Sequence, residues 1–314
     1  MRFLITGGAG FIGSHIVEHA LKRGLTVAVL DDLSEGRREF VPEGVPFFQV
    51  DVRDDAAVRA VFEDFRPDVV SHQAAQASVS VSVRDPLHDA SVNVMGGLTI
   101  LRAAVDARVS RVLFASSGGT VYGEVAPGTA AREDDPKLPI SPYATSKLAF
   151  ELYLETFRVQ YGLSYTVLRY GNVYGPRQNP HGEAGVTAIF ARLLLSGEPV
   201  RVNAARDGDA AGCVRDYVYV EDVAAVNVAA ALAELGEDAV FNVGTGEGRT
   251  TLDVATALAG ALGVPLDVRR GDYRAGDLQR CVLDVGRLRE AWRAPTPFEE
   301  GMARTADWFR EHDR

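Results

Sequence analysis

Tyr143 and Lys147 stand four residues apart in the run Tyr143-Ala144-Thr145-Ser146-Lys147. On a helix that spacing puts a phenol and an ammonium one above the other on a single face. A cation beside a phenol favours phenolate and should draw the tyrosine pKa down toward neutrality. Tyr143 then suits the role of general base toward a hydroxyl. Ser141-Pro142 just upstream supplies a helix cap followed by proline at the first helical position. A second group of hydroxyls, Ser116-Ser117-Gly118-Gly119-Thr120, follows the apolar run Val112–Ala115. In an open parallel sheet ligands bind outside the carboxyl ends of strands, so Ser117 or Thr120 could hydrogen-bond the reacting oxygen.

The third candidate is Gly7-Gly8-Ala9-Gly10-Phe11-Ile12-Gly13. It satisfies the glycine pattern of a dinucleotide fold: one glycine for the turn, one for close approach to a pyrophosphate, one for helix–strand packing. Phe11 and Ile12 open the helix whose N-terminus would face that phosphate charge. A strand precedes the loop, and the next strand, Val27–Leu30, ends at Asp31, 18 residues after Gly13. A carboxylate there accepts from ribose hydroxyls and repels a 2′-phosphate, which favours NAD over NADP; Arg37 and Arg38 pull the other way.

These residues need a rigid carrier. Short apolar runs alternate with helical patterns up to Tyr170: Phe3–Thr6, Val27–Leu30, Phe47–Val50, Val69–Ser71, Val112–Ala115 and Tyr165–Leu168, with helices at Phe11–Arg23, Val94–Ala107 and Pro142–Tyr161 among them. That alternation predicts an α/β fold with a doubly wound parallel sheet covered on both faces. Residues 1–170 are expected to form the dinucleotide-binding domain. Residues 171–314 should form a smaller α/β substrate-binding domain, interleaved with the first, with helices at Val186–Leu195, Glu221–Leu235, Thr251–Leu262 and Glu299–Arg310. The formal net charge is −10, which argues against a nucleic-acid partner. Two cysteines give no disulfide framework, and no apolar run reaches membrane-spanning length. The opening apolar stretch is too short for a secretory leader, so a cytoplasmic protein is expected. His15-Ile16-Val17-Glu18-His19 spells a zinc-protease signature. Inside the helix after the glycine loop we read it as ordinary helix surface, with no metal. Gly244–Gly248 reads as a turn, and Arg215 and Arg274 are candidate diphosphate clamps.

With these residues in hand, the chain resembles the extended short-chain dehydrogenase/reductase family, and within it the UDP-glucose 4-epimerases. Thr6–Ser14, Ser141–Lys147, Leu168–Pro176, Val214–Val218 and Arg274-Ala275-Gly276-Asp277 carry the likeness. The resemblance implies bound NAD, with Asp31 and Asp32 near the adenosine ribose and Asp51 and Val52 near adenine. Gln73, Ala74, Ala75, Gln76, Asn93, Ser116 and Tyr170 would lie along the cofactor, and Lys147 would touch the nicotinamide ribose. Asn172, Arg215, Arg274 and Asp277 would hold the UDP part of a UDP-sugar. Tyr143, aided by Ser117, would take the proton of the sugar 4-hydroxyl while hydride leaves C4. A homodimer through residues 86–107 and 142–161 is also implied.

Three positions depart from the pattern. Gly118 stands where the family carries its catalytic serine, which leaves Ser117 or Thr120. Asp32 replaces the usual asparagine. Cys281 replaces a bulky residue near the sugar C2 substituent, which leaves room for N-acetylated sugars. The alternatives are a 4,6-dehydratase, which needs a carboxylate where Gly119-Thr120 stands, and a non-catalytic dinucleotide sensor.

Overall fold

The computed structural model describes residues 1–180, 185–236, 240–274, 277–292 and 294–312. Seven parallel strands form the main sheet: β1 Arg2–Thr6, β2 Thr26–Asp31, β3 Phe47–Gln49, β4 Val69–His72, β5 Arg111–Ser117, β6 Ser164–Tyr170 and β10 Val240–Val243. Their spatial order is β10-β6-β5-β4-β1-β2-β3, so the strand order reverses across β1 and β4. The last member comes from the later part of the chain, so one sheet spans both halves of the sequence.

β1 shows why this sequence makes a sheet covered on both faces. Phe3, Leu4 and Ile5 are all fully buried, but alternate side chains point to opposite faces. Phe3 and Ile5 join Ile16, Val17 and Val223 in one core. Leu4 joins Val58, Phe62, Ile100 and Phe150 in the other. The helices of this stretch are α1 Phe11–Lys22, α2 Asp55–Phe65, α3 Val79–Arg84, α4 Pro86–Ala90, α5 Gly97–Asp106, the short α6 Gly118–Val121 and α7 Pro142–Tyr161; α1 lines the first core and α2, α5 and α7 line the second. The helix expected from Val94 starts later, because Ser91–Gly96 is a π-helical segment. Two glycines let it pack close: a Cβ on Gly96 would meet Val52 at 2.6 Å, and one on Gly97 would meet the Phe150 ring at 2.4 Å.

After β6 come β7 Asn172–Tyr174, α8 Val186–Leu195, β8 Val200–Asn203, β9 Val214–Tyr219 and α9 Val220–Ala231. They are followed by β10, then β11 Gly248–Thr250, α10 Thr251–Leu262, β12 Val268–Gly271, β13 Arg280–Cys281, α11 Gly286–Ala291 and α12 Phe298–His312. β9 pairs with β7, β11 and β13 in a second sheet, and β8 pairs with β12 in a third. Helices α8, α10 and α12 close a separate core around Tyr174, Phe190, Leu258 and Phe309.

Candidate active site

The turn after β1 is built from positions that only glycine can fill. Gly7 has φ +67°, and a Cβ there would lie 2.7 Å from the Ala74 nitrogen; one on Gly13 would lie 2.1 Å from the Gly7 oxygen. The Gly7 amide donates to Leu30 O at 2.8 Å and the Gly10 amide to Gly7 O at 3.1 Å. Helix α1 begins at Gly10 without a side-chain cap, which leaves the positive end of the helix, at Phe11 and Ile12, as a cradle for an anion. Asp31 closes β2 beside it. Its carboxylate accepts from the Ala9 amide (2.9 Å) and the Leu33 amide (2.8 Å), and burial still holds its pKa above the usual carboxylate value. Asp32 caps the following turn by accepting from the Ser34 amide and hydroxyl. Asp51 is gripped by the Arg53 guanidinium, which pulls its pKa down, and Val52 is buried beside Gly96.

Tyr143 and Lys147 lie on the first turns of α7, which Ser141 caps by accepting the Ala144 amide. Lys147 is buried, donates to the Ala115 carbonyl of β5 at 3.0 Å and stands over the Phe114 ring at 5.0 Å. The Tyr143 ring centroid is 5.7 Å from its nitrogen. The Ser117 hydroxyl stands close enough to the Tyr143 phenol to pull its pKa down, whereas the Thr120 hydroxyl turns back to the Ser117 carbonyl. The expected lowering of the tyrosine pKa is not what this arrangement produces. Burial pushes the phenol up to about 12, because desolvating the phenolate outweighs the pull of Ser117. The same burial brings Lys147 down to about 8.

A layer of buried polar side chains supports this edge. The Gln73 amide donates to Ser71 Oγ and Asn227 Oδ1, and the Tyr170 hydroxyl donates to Gln73 Oε1. Asn227 donates in turn to the Tyr170 oxygen. Ala74 donates to Thr6 Oγ1, and Ala75 is half-buried next to it. Gln76 and Asn93 bond each other through backbone and side chain, and both donate to Asp89 Oδ1. Ser116, expected along the cofactor, sends its hydroxyl to Glu151 at 2.5 Å. Glu151 is a bidentate partner of buried Arg169. Of the two serines, Ser117 is the one that meets the phenol. Asn227 escaped the sequence reading because it meets Ser71 and Gln73 across elements far apart in the chain; Asp89 and Glu151 stand in no motif that marks them.

The residues expected to hold a diphosphate cluster only in part. Asn172 Oδ1 lies 3.2 Å from where a Gly119 Cβ would be, so it borders the serine loop. Arg215 is paired in register with Cys281, and its guanidinium donates to Val214 O and Leu278 O. The Cys281 thiol is buried and donates to Gly118 O at 3.3 Å. Asn172, Arg215 and Cys281 thus share one rim with Ser117. Arg274 is exposed, and its carbonyl accepts the Asp277 amide; Ala275 and Gly276 lie outside the described residues. The Gly244–Gly248 turn cradles an anion of the chain itself: the Thr245 and Gly246 amides donate to buried Asp216.

The His15–His19 motif requires a correction. It is not ordinary helix surface. His15 is 3% exposed, and His15 and His19 hydrogen-bond the two oxygens of Glu221 on α9 at 3.1 and 2.5 Å. The other His15 nitrogen faces Pro176 O at 3.0 Å. Both ring nitrogens therefore face oxygen atoms of the chain. The motif joins α1 to the later half of the chain.

The family model described as the NAD dependent epimerase/dehydratase family matches residues 3–244. A UDP-glucose 4-epimerase of Mycolicibacterium smegmatis is 44% identical, over 99% of each chain. The crystal structure of the Thermus thermophilus UDP-glucose 4-epimerase in complex with NAD superposes with a TM-score of 0.94 at 55% identity, covering 99% of this chain and 100% of that one. The Thermotoga maritima UDP-glucose 4-epimerase structure with UDP-glucose gives 0.94 at 41% identity, covering 100% of both chains. With its glycine turn, its Asp31 and its tyrosine–lysine helix, this chain belongs to the NAD dependent epimerase/dehydratase family.

Proposed function

We propose that this chain interconverts UDP-glucose and UDP-galactose at C4 through a transient 4-keto sugar, with NAD held throughout. The observation that carries the reading is buried Tyr143 next to the Ser117 hydroxyl, with the Lys147 ammonium 5.7 Å from its ring, on a chain similar over nearly its whole length to UDP-glucose 4-epimerases. The glycine cradle and the uncapped start of α1 fit a pyrophosphate, and buried Asp31 fits the ribose hydroxyls. NAD held by the glycine turn and Asp31 would supply a hydride acceptor and donor for the sugar carbon. Tyr143 takes the 4-hydroxyl proton and gives it back, Ser117 holds the same oxygen, and the Lys147 ammonium stabilises the phenolate. Asn172, Arg215, Arg274 and Asp277 hold the UDP part. Residues 1–170 serve the cofactor and 171–314 the sugar nucleotide.

The small Cys281 side chain leaves room at the sugar C2 position, which extends the reading to UDP-N-acetylglucosamine. Cys281→Tyr should then lower the ratio of N-acetylated to plain sugar turnover; an unchanged ratio removes that extension. We also infer a homodimer. Leu87 at 81%, Met95 at 61%, Leu152 at 65% and Val159 at 63% exposure line α4, the π-helical segment and α7, an apolar surface of the kind that partners cover. Both cysteines are free thiols, which suits a cytoplasmic setting; among the described residues no helix is long and apolar enough to cross a membrane.

The test is incubation of the purified protein with UDP-glucose and no added cofactor. UDP-galactose should accumulate to a fixed ratio, and Tyr143→Phe should lower turnover by about 10³-fold or more. Untouched UDP-glucose would overturn the substrate assignment.

A further inference from the structure

Glu124 leaves the serine turn and reaches the other half of the chain. It stands just past the short helix α6 and Gly123, whose φ is +71°. A Cβ on Gly123 would lie 2.5 Å from Leu138 O, so the backbone that presents Glu124 is closely confined. The two oxygens of its carboxylate each accept one backbone amide: Gln279 donates to Oε2 at 2.9 Å and Arg280 to Oε1 at 2.7 Å. Hydrogen bonds to a charged acceptor are the stronger kind. The next residue continues the tie, since the Val125 amide donates to Arg280 O at 3.0 Å. The outlet of the serine turn is thus joined to the start of β13.

What hangs from that point is the rim of the site. Gln279 O accepts the Val214 amide of β9 at 2.8 Å. The neighbouring Leu278 O accepts from the Arg215 guanidinium at 2.7 Å. Cys281, the residue after Arg280, lies in register with Arg215. The direction of the Arg215 fork therefore follows the path of residues 278–280. β9 holds that path at the Gln279 carbonyl, and Glu124 holds it at the Gln279 and Arg280 amides.

We propose that Glu124 is a positioning residue for the sugar nucleotide: by holding the Gln279 and Arg280 amides it sets where Arg215 and Cys281 stand relative to Ser117, without touching substrate itself. The inference rests on the reading above that Arg215 holds the UDP part and that Cys281 faces the sugar. Tyr143 and Lys147 stand on α7, and Ser117 ends β5. Loss of Glu124 should therefore weaken the grip on the nucleotide far more than it slows the chemical step.

Glu124→Ala removes both acceptors, and Glu124→Gln keeps one, since a carboxamide has a single accepting oxygen. Glu124 is exposed, so either variant leaves the cores intact. The probe is UDP itself, titrated by calorimetry into the NAD-loaded protein. Its Kd should rise about 10-fold in Glu124→Ala and about 3-fold in Glu124→Gln. KM for UDP-glucose should rise in the same order, with kcat within about twofold of wild type. An unchanged UDP affinity in Glu124→Ala would overturn the proposal, even with lower melting, because the two bonds would then serve the fold alone. A fall in kcat with KM unchanged would overturn it too, since Glu124 would then act on the chemical step. If Glu124→Ala does not fold, the UDP affinity of Glu124→Gln decides, and an unmoved value counts against the proposal. If UDP binds and weakens as expected while UDP-glucose stays untouched, only the epimerase reading fails. A wild-type protein that does not bind UDP would overturn both.

Discussion

Two clusters of charged groups in the protein are treated differently. At the seam of α1 and α9, Glu221 is gripped by His15 and His19 through both oxygens, and its pKa is driven far below the usual carboxylate range. At the end of β5, Lys147 has a carbonyl and aromatic faces but no carboxylate in hydrogen-bond contact, and Tyr143 has one serine hydroxyl. There the phenol rises to about 12 and the ammonium falls to about 8. Where opposite charges touch, protonation is locked and the contact serves structure. Where burial holds them apart, each group prefers its neutral form, and a nearby charge or ligand can tip the balance. A proton-transferring site requires the second arrangement.

Removing the lysine is the strongest way to break this contrast. Lys147→Met should cut epimerisation by about 10³-fold. In the wild-type protein turnover should fall as pH rises past about 8, where Lys147 loses its proton, and the variant should lack that limb. Stability should move the other way. The folded-state pKa of Lys147 is depressed, so between about 8 and its ordinary value near 10.5 the unfolded chain binds more protons and wild-type stability rises with pH. The difference in melting temperature between wild type and Lys147→Met should therefore move in favour of wild type as pH rises from about 8 toward 10. A difference that stays constant over that range would show that Lys147 is paired, not strained.

Beneath the dyad, Arg169 and Glu151 form a touching pair with side chains 4% and 8% exposed. Glu151→Leu strands the guanidinium in the sheet and should cost about 3–5 kcal/mol in chemical denaturation. It also frees the Ser116 hydroxyl from its partner. The serine loop sharpens the comparison on the catalytic side. Ser117→Ala should lower turnover by about 10²-fold with little change in melting, and Thr120→Ala should leave turnover near wild type, because its hydroxyl turns back to backbone. Equal losses from the two would displace Ser117 from the reacting oxygen.

How much of this was legible in the sequence depends on distance along the chain. The glycine turn, Asp31 and the tyrosine–lysine spacing are local patterns, and backbone geometry places them as their spacing implies. The late start of α5 was hidden, because nothing in Ser91–Gly96 distinguishes a π turn from an α turn until Val52 and Phe150 press on Gly96 and Gly97. The tyrosine pKa was misjudged because spacing reports the nearby cation but not the degree of burial, and burial dominates. The histidine pair was misread for a third reason. Its carboxylate lies 206 residues from His15 in the sequence, so no local window contains the contact that explains it.

That seam supplies the smallest effect and the test of its structural role. Glu221→Gln keeps the size of the side chain and removes its charge. The folded-state pKa of Glu221 is depressed, so its contribution to stability is complete above its ordinary value near 4.5 and is lost as pH falls toward the folded value. Its side chain is 30% exposed, so solvent screens part of the attraction. The expected loss in melting temperature is therefore modest, on the order of 1–2 °C at pH 6. The gap between wild type and variant should narrow steadily below pH 4.5, while epimerisation at 25 °C stays close to wild type. A large drop in turnover with unchanged melting would place the His15–Glu221 contact in the catalytic cycle and dissolve the distinction between the two clusters.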